Sequence, residues 1–133
     1  MAPTLGAGLS TLVLFLAVGA VAFLPATARA ARSVEDAVYT KAQARSGKKL
    51  YQEHCLGCHE RGYFRQVLRT RQGETLDPLF ELMVTQMPQN DPGSLSDAEY
   101  VDVIAYILSQ SRYAEGTKKL KVVDLSEIHI PPS

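Results

Sequence analysis

Apolar residues recur every three or four positions in three stretches of the chain, and each stretch is bounded by residues that start or stop a helix. In YTKAQARSGKKLYQEHC, Ala44, Gly47, Tyr51 and Cys55 fall on one stripe. Thr40 and Gln43 stand in capping-box spacing, so the hydroxyl can accept from the third helical N–H while the amide reaches back to the cap. Gly47 lowers helix stability by roughly 1 kcal/mol relative to alanine. Its presence predicts a close approach by another element; the competing reading is that SGK marks a turn and the helix starts after it. GETLDPLFELMVTQMP predicts a second helix, capped by Thr75 or Asp77, with Pro78 in its first turn. Leu79, Phe80 and Met83 give it an apolar side, and Pro88 ends it. LSDAEYVDVIAYILSQ carries the strongest pattern. Ser96 and Glu99 form a capping box, and Leu95 and Tyr100 are placed as a hydrophobic staple. Val101, Ile104, Ile107 and Leu108 make the buried stripe, while Asp97, Asp102 and Gln110 are expected to face water. No strand pair is evident. The last stretch, 113–133, is polar, then alternates weakly, then ends in prolines, and it is expected to be a loosely docked extension.

The N-terminal pattern is different in kind. TLVLFLAVGAVAFL, Thr11 to Leu24, is apolar and uncharged. Pro25 breaks it, and Ala28 and Ala30 follow in A-x-A spacing. Residues 1–30 therefore read as a secretory signal cut after Ala30, with the folded part in the periplasm. No Lys or Arg precedes the run, and a retained anchor is the rival reading, although the run falls short of the roughly 20 residues that span a bilayer. What remains, 31–133, is enough for one small domain with a modest core.

Composition changes this picture little. The 133 residues carry 14 basic and 14 acidic side chains. Their distribution is uneven: Lys41, Arg45, Lys48, Lys49, Arg61, Arg65, Arg69 and Arg71 are opposed only by Glu53 and Glu60, and acidic residues prevail afterwards. Most of these charges read as solvated helix faces. With no Trp and no interleaving of aromatic and basic residues, nothing points to nucleic acid.

The chemistry sits in H-C-L-G-C-H, residues 54–59, which holds both cysteines of the chain. Three uses compete: a redox disulfide, half of a zinc site, and haem attachment. A structural zinc site needs four ligands, and the second half is missing. A thioredoxin-like pair needs a βαβ setting that this pattern lacks. A plain disulfide is open to any two cysteines in an exported protein. C-x-x-C-H is the spacing of covalent haem attachment. Cys55 and Cys58 would bond the two vinyl groups on one porphyrin edge, and His59 would follow beneath the iron. For the sixth ligand the candidates are Met87, Met83 and His129. Met87 is favoured because it sits at a helix end beside Pro88, where a loop can aim its sulfur. Met83 is placed like a core residue, and His129 lies in the tail. His54 is expected at the surface.

These stretches resemble the class I cytochromes c of bacteria. The closest likeness is to the cytochrome c domains attached to or partnered with quinohaemoprotein alcohol dehydrogenases. It rests on YTKAQARSGKKLYQEHCLGCHE and LFELMVTQMPQNDPGSLSDAEYVDVIAYIL and covers Tyr39 to about Gln110. The resemblance implies an all-α cytochrome c-like fold of three to four helices around one covalent haem, spanning 31–112. It also implies a crossing of the first and last helices at Gly47 and Tyr106, with Tyr51 nearby. The chain departs from the family between His59 and Met87. The Gly-Pro-x-Leu segment, whose carbonyl takes the axial histidine's ring N–H, is missing, and YFRQVLRTRQ stands in its place. Its Arg69 and Arg71 are candidates to pair with haem propionates.

The expected function is a monohaem, His/Met-ligated one-electron carrier outside the cytoplasmic membrane, with no substrate to transform. Its cofactor is one haem c, and its partners are dehydrogenases, oxidases or reductases docking transiently. It touches the membrane only if the signal segment is retained. The alternatives are a dedicated electron-accepting subunit of a periplasmic dehydrogenase complex, which would dock through the tail, and a haem sensor with an open sixth site.

Overall fold

A computed structural model describes Met1 and residues 32–132, so all of the signal-like segment expected over 1–30 except Met1 lies outside the described residues. Four helices carry the fold: α1 (Lys41–His54), α2 (Tyr63–Thr70), α3 (Asp77–Gln86) and α4 (Asp97–Gln110). A 3-10 turn, Val122–Glu127, follows them. Two short strands, β1 (Arg32–Ser33) and β2 (Ile128–His129), pair in parallel, Arg32 with Ile128 and Ser33 with His129. The protein is all-α and cytochrome c-like in architecture.

α1 and α4 form the principal packing pair. The α1 stripe is buried at Gln43, Ala44, Gly47 and Tyr51. α4 is buried along most of its length, from Tyr100 and Val101 through Val103–Leu108. At Gly47 the two backbones meet: a Cβ there would overlap the Asp102 carbonyl and press on the Val103 N–H. Glycine is what permits that approach, so the awkward residue in α1 is explained by the crossing. The contact is with Asp102 and Val103 rather than with Tyr106, whose ring lies 5.2 Å from that of Tyr51. Asp102 was expected in water. It is instead drawn into the crossing, with a side chain 15% exposed and one carboxylate oxygen 3.9 Å from Lys119 Nζ.

Caps explain two of the helix starts. Thr40 Oγ1 accepts from the Gln43 N–H at 3.2 Å and opens α1. The Ser96–Glu99 capping box opens α4. α3 differs from expectation: its cap position is Leu76 and no side chain caps it. Thr75 is engaged elsewhere, in a bridge with His129. α2 was not anticipated. It is only eight residues long and buries just Phe64 and Leu68.

The largest correction concerns the tail. Leu120, Leu125, Ile128 and Ile130 are all 0–1% exposed and belong to the main core. Burying such a side chain contributes about 1.5–3 kcal/mol, so the segment is part of the fold rather than a loosely docked extension. Backbone hydrogen bonds tie it down on both sides. Val34 N–H donates to the His129 carbonyl, Leu76 N–H to Ile128, and Ile130 N–H to Glu74. The Gln43 amide, expected to fold back on its own cap, spans to Leu120 instead, donating to its carbonyl at 2.9 Å and accepting its N–H at 3.0 Å. Gly116 passes so close to Ala37 that a Cβ would strike the Ala37 carbonyl.

Candidate functional site

The last turn of α1 delivers the H-C-L-G-C-H stretch. Cys55 caps the helix, its N–H donating to the Tyr51 carbonyl. Its own carbonyl then accepts from the Cys58 N–H at 3.1 Å and the His59 N–H at 2.8 Å. The chain is thereby wound into a tight turn that keeps Cys55, Cys58 and His59 together. Tyr51, 2% exposed, anchors the far side of that turn. Its single hydroxyl proton is shared between the carbonyls of His59 at 2.9 Å and Glu60 at 3.1 Å. Burial, reinforced by Cys55, pushes the Tyr51 hydroxyl up to about 12, so it stays a donor. Burial also pushes the Cys55 thiol up to about 11. No disulfide joins the two cysteines.

Across from this turn, α3 ends at Met87, which has extended backbone. The Met87 N–H donates to Met83 at 2.9 Å, and its carbonyl accepts from the Tyr100 hydroxyl at 2.6 Å. The next bond, Met87–Pro88, is cis. A cavity of about 490 Å³ lies between the two segments, lined by His54, Cys55, Cys58, His59, Met87, Pro88, Gln89 and Asn90. Its size falls in the range of small-molecule and cofactor sites, roughly 300–1,000 Å³.

All four residues singled out from sequence, Cys55, Cys58, His59 and Met87, line this cavity. Met83 does not; it is 3% exposed within the core. His129 sits on β2, outside the cavity lining. His54 is at the cavity rim, its imidazole 3.8 Å from the Glu53 carboxylate and 30% exposed. Arg69 and Arg71 are not in the lining. Arg71 pairs with Glu74 at 2.9 Å, and Arg69 borders a separate groove with Arg65 and Tyr113. Among the described residues no cluster of three or more His, Cys, Asp or Glu is placed to hold a metal ion by itself.

Sequence reasoning missed the aromatic surroundings of His59. Tyr63 stacks on its imidazole, with ring centres 4.4 Å apart and planes 26° apart. Phe64 meets it edge-on at 5.4 Å. The signal available was an aromatic four residues after the histidine, meaningful only once α2 is known to begin there.

The donor set suits a haem. Two thiols, an imidazole and a thioether border one largely apolar cavity, with the thiols at the attachment spacing. Comparison with known proteins agrees. Residues 42–107 match the family model described as Cytochrome C oxidase, cbb3-type, subunit III. No curated protein and no solved structure gives a significant match. The matched stretch holds α1, the C-x-x-C-H turn, α2, α3 and most of α4. Residues 42–107 are a class I c-type cytochrome domain, an electron-transfer module that binds haem c covalently.

Proposed function

We propose that the chain is a monohaem one-electron carrier of the periplasm, with the haem held by Cys55 and Cys58 and its iron ligated by His59 and Met87. One observation carries this reading: these four side chains, and not Met83 or His129, share the cavity. When bound, haem supplies a one-electron iron couple, and a His/Met pair sets it at a raised potential. The protein's part is to hold the ligands still. Tyr51 fixes the carbonyls on the histidine side. Tyr100, 1% exposed, fixes the Met87 carbonyl. Each is a buried hydroxyl on a rigid helix, which suits a site whose two oxidation states should differ little in geometry.

The partners are redox proteins that dock transiently, over a small interface. The basic residues of α1 and α2 favour acidic partner surfaces. The quinohaemoprotein dehydrogenase and the oxidase are both candidate partner classes, since the family model is named for an oxidase subunit. A permanent dehydrogenase subunit is less well supported than a free carrier. Its docking segment would be the tail, and the apolar residues of the tail are turned inward. Among the described residues no helix is long and apolar enough to cross a membrane. Export is proposed on the signal-like N-terminus, and a mature mass starting at Ala31 is expected.

The test uses the oxidised and reduced holoprotein. A weak far-red band in the oxidised state reports iron–thioether bonding. Met87→Ala is expected to abolish it and to let the reduced iron bind carbon monoxide, while Met83→Ala leaves the band in place. The reverse outcome would assign the ligand to Met83. Carbon monoxide binding by the unmodified protein at neutral pH would point to the sensor with an open site.

A further inference from the structure

An axial imidazole bound through one nitrogen can rotate about that bond, and a hydrogen bond from its other N–H usually sets the ring plane. The Gly-Pro-x-Leu segment whose carbonyl would receive it is missing from this sequence. Among the described residues no hydrogen bond reaches the His59 ring. What does reach it is Tyr63, stacked at 4.4 Å and 26°.

We propose that Tyr63 is a positioning residue that fixes the plane of the His59 imidazole by stacking, in place of the absent hydrogen-bond acceptor. The inference rests on the reading of His59 as a ligand. Tyr63 is 44% exposed, so on its own it would be a weak stop. It is held by a chain of rings that runs into the core. Phe64 packs edge-on against it at 5.0 Å and 88°. Phe64 is 8% exposed and rests edge-on against Tyr51 at 5.9 Å. Tyr51 in turn meets Tyr106 of α4 at 5.2 Å. The backbone is braced as well: the Tyr63 N–H donates to the Glu60 carbonyl, the same carbonyl that the Tyr51 hydroxyl binds. The ring face therefore has a fixed place relative to His59, and a flat face is what resists rotation of a second flat ring. An aliphatic side chain of similar size would fill the space without defining a plane.

The plane of an axial imidazole shapes the unpaired-electron distribution of oxidised low-spin haem. It is read in the order and spread of the haem-methyl proton shifts and in the g-values. The experiment compares the holoprotein with Tyr63→Phe and Tyr63→Leu. Tyr63→Phe is expected to keep the shift order. Tyr63→Leu is expected to change it and narrow the spread, with the optical spectrum of a ligated iron retained. An unaltered shift order in Tyr63→Leu, or an equal change in Tyr63→Phe, overturns the proposal. Should Tyr63→Leu fail to fold or load, the unmodified reduced protein decides: close proton contacts between the Tyr63 and His59 rings are required, and their absence overturns it. The same spectrum tests the reading beneath. Ligation shifts the His59 ring protons strongly upfield, and ordinary shifts would show that His59 is not a ligand at all.

Discussion

The two ends of α1 are finished in different ways. At the N-terminal end the chain closes on itself: Gln43 spans to Leu120, the Gly116 N–H donates to the Tyr39 carbonyl, and Leu120 and Leu125 are fully buried. At the C-terminal end, about 20 Å away for a 14-residue helix, the cysteines and His59 are left partly open around a cavity. One end is completed by the protein's own side chains. The other is completed by its cofactor. The packed pair α1 and α4 joins the closed end to the C-x-x-C-H turn.

Breaking the comparison altogether means separating the helices that join the ends. Gly47→Val is expected to destabilise the holoprotein by at least about 4 kcal/mol or prevent folding, since added carbons would collide with backbone that cannot step aside. Gly47→Ala should also lower the denaturation midpoint. A stabilised alanine variant would mean the helices do not meet there. Leu125→Ala targets only the closed end and should cost about 3 kcal/mol, measured by chemical denaturation. If the two ends are distinct, the far-red band survives in this variant while the midpoint falls.

The smallest effect is a pH signature at the start of α4. The Ser96 N–H and hydroxyl donate to Glu99 at 2.8 Å and 2.7 Å and hold its carboxylate below the ordinary range. A lowered folded-state pKa gives stabilisation that is complete above the unfolded value and lost as pH falls through the folded one. Glu99→Gln should therefore lower stability slightly near neutrality, with the two proteins converging as pH falls through the folded-state Glu99 pKa, so that the acid limb of the stability–pH curve is flatter in the variant.

This contrast also divides what the sequence revealed from what it hid. The open end was legible because covalent attachment demands fixed local spacing, and Cys55, Cys58 and His59 lie within five consecutive positions. The place of Met87 in the cavity lining was legible from the proline beside it, and the close approach at Gly47 from its being a poor helix residue in a good helix. The closed end was hidden because its residues follow no single period. Leu120, Leu125, Ile128 and Ile130 pass through coil, a 3-10 turn and a two-residue strand, so neither the helical nor the strand spacing detects them. Gln43 was misread for a related reason. Its spacing satisfied a local motif, and a distant backbone pair at Leu120 competed for the same amide and won.

That distant pairing has a kinetic meaning. Gln43 and Leu120 are 77 residues apart and Arg32 and Asp124 are 92 apart, in a protein whose helices are local. Closing loops of that length precedes any gain from the contacts they enable. In a chain that emerges from its N-terminus, the buried face of α1 has no complete partner until α4 and Leu120 have appeared. Folding of the domain is thus tied to the arrival of the segment that follows α4.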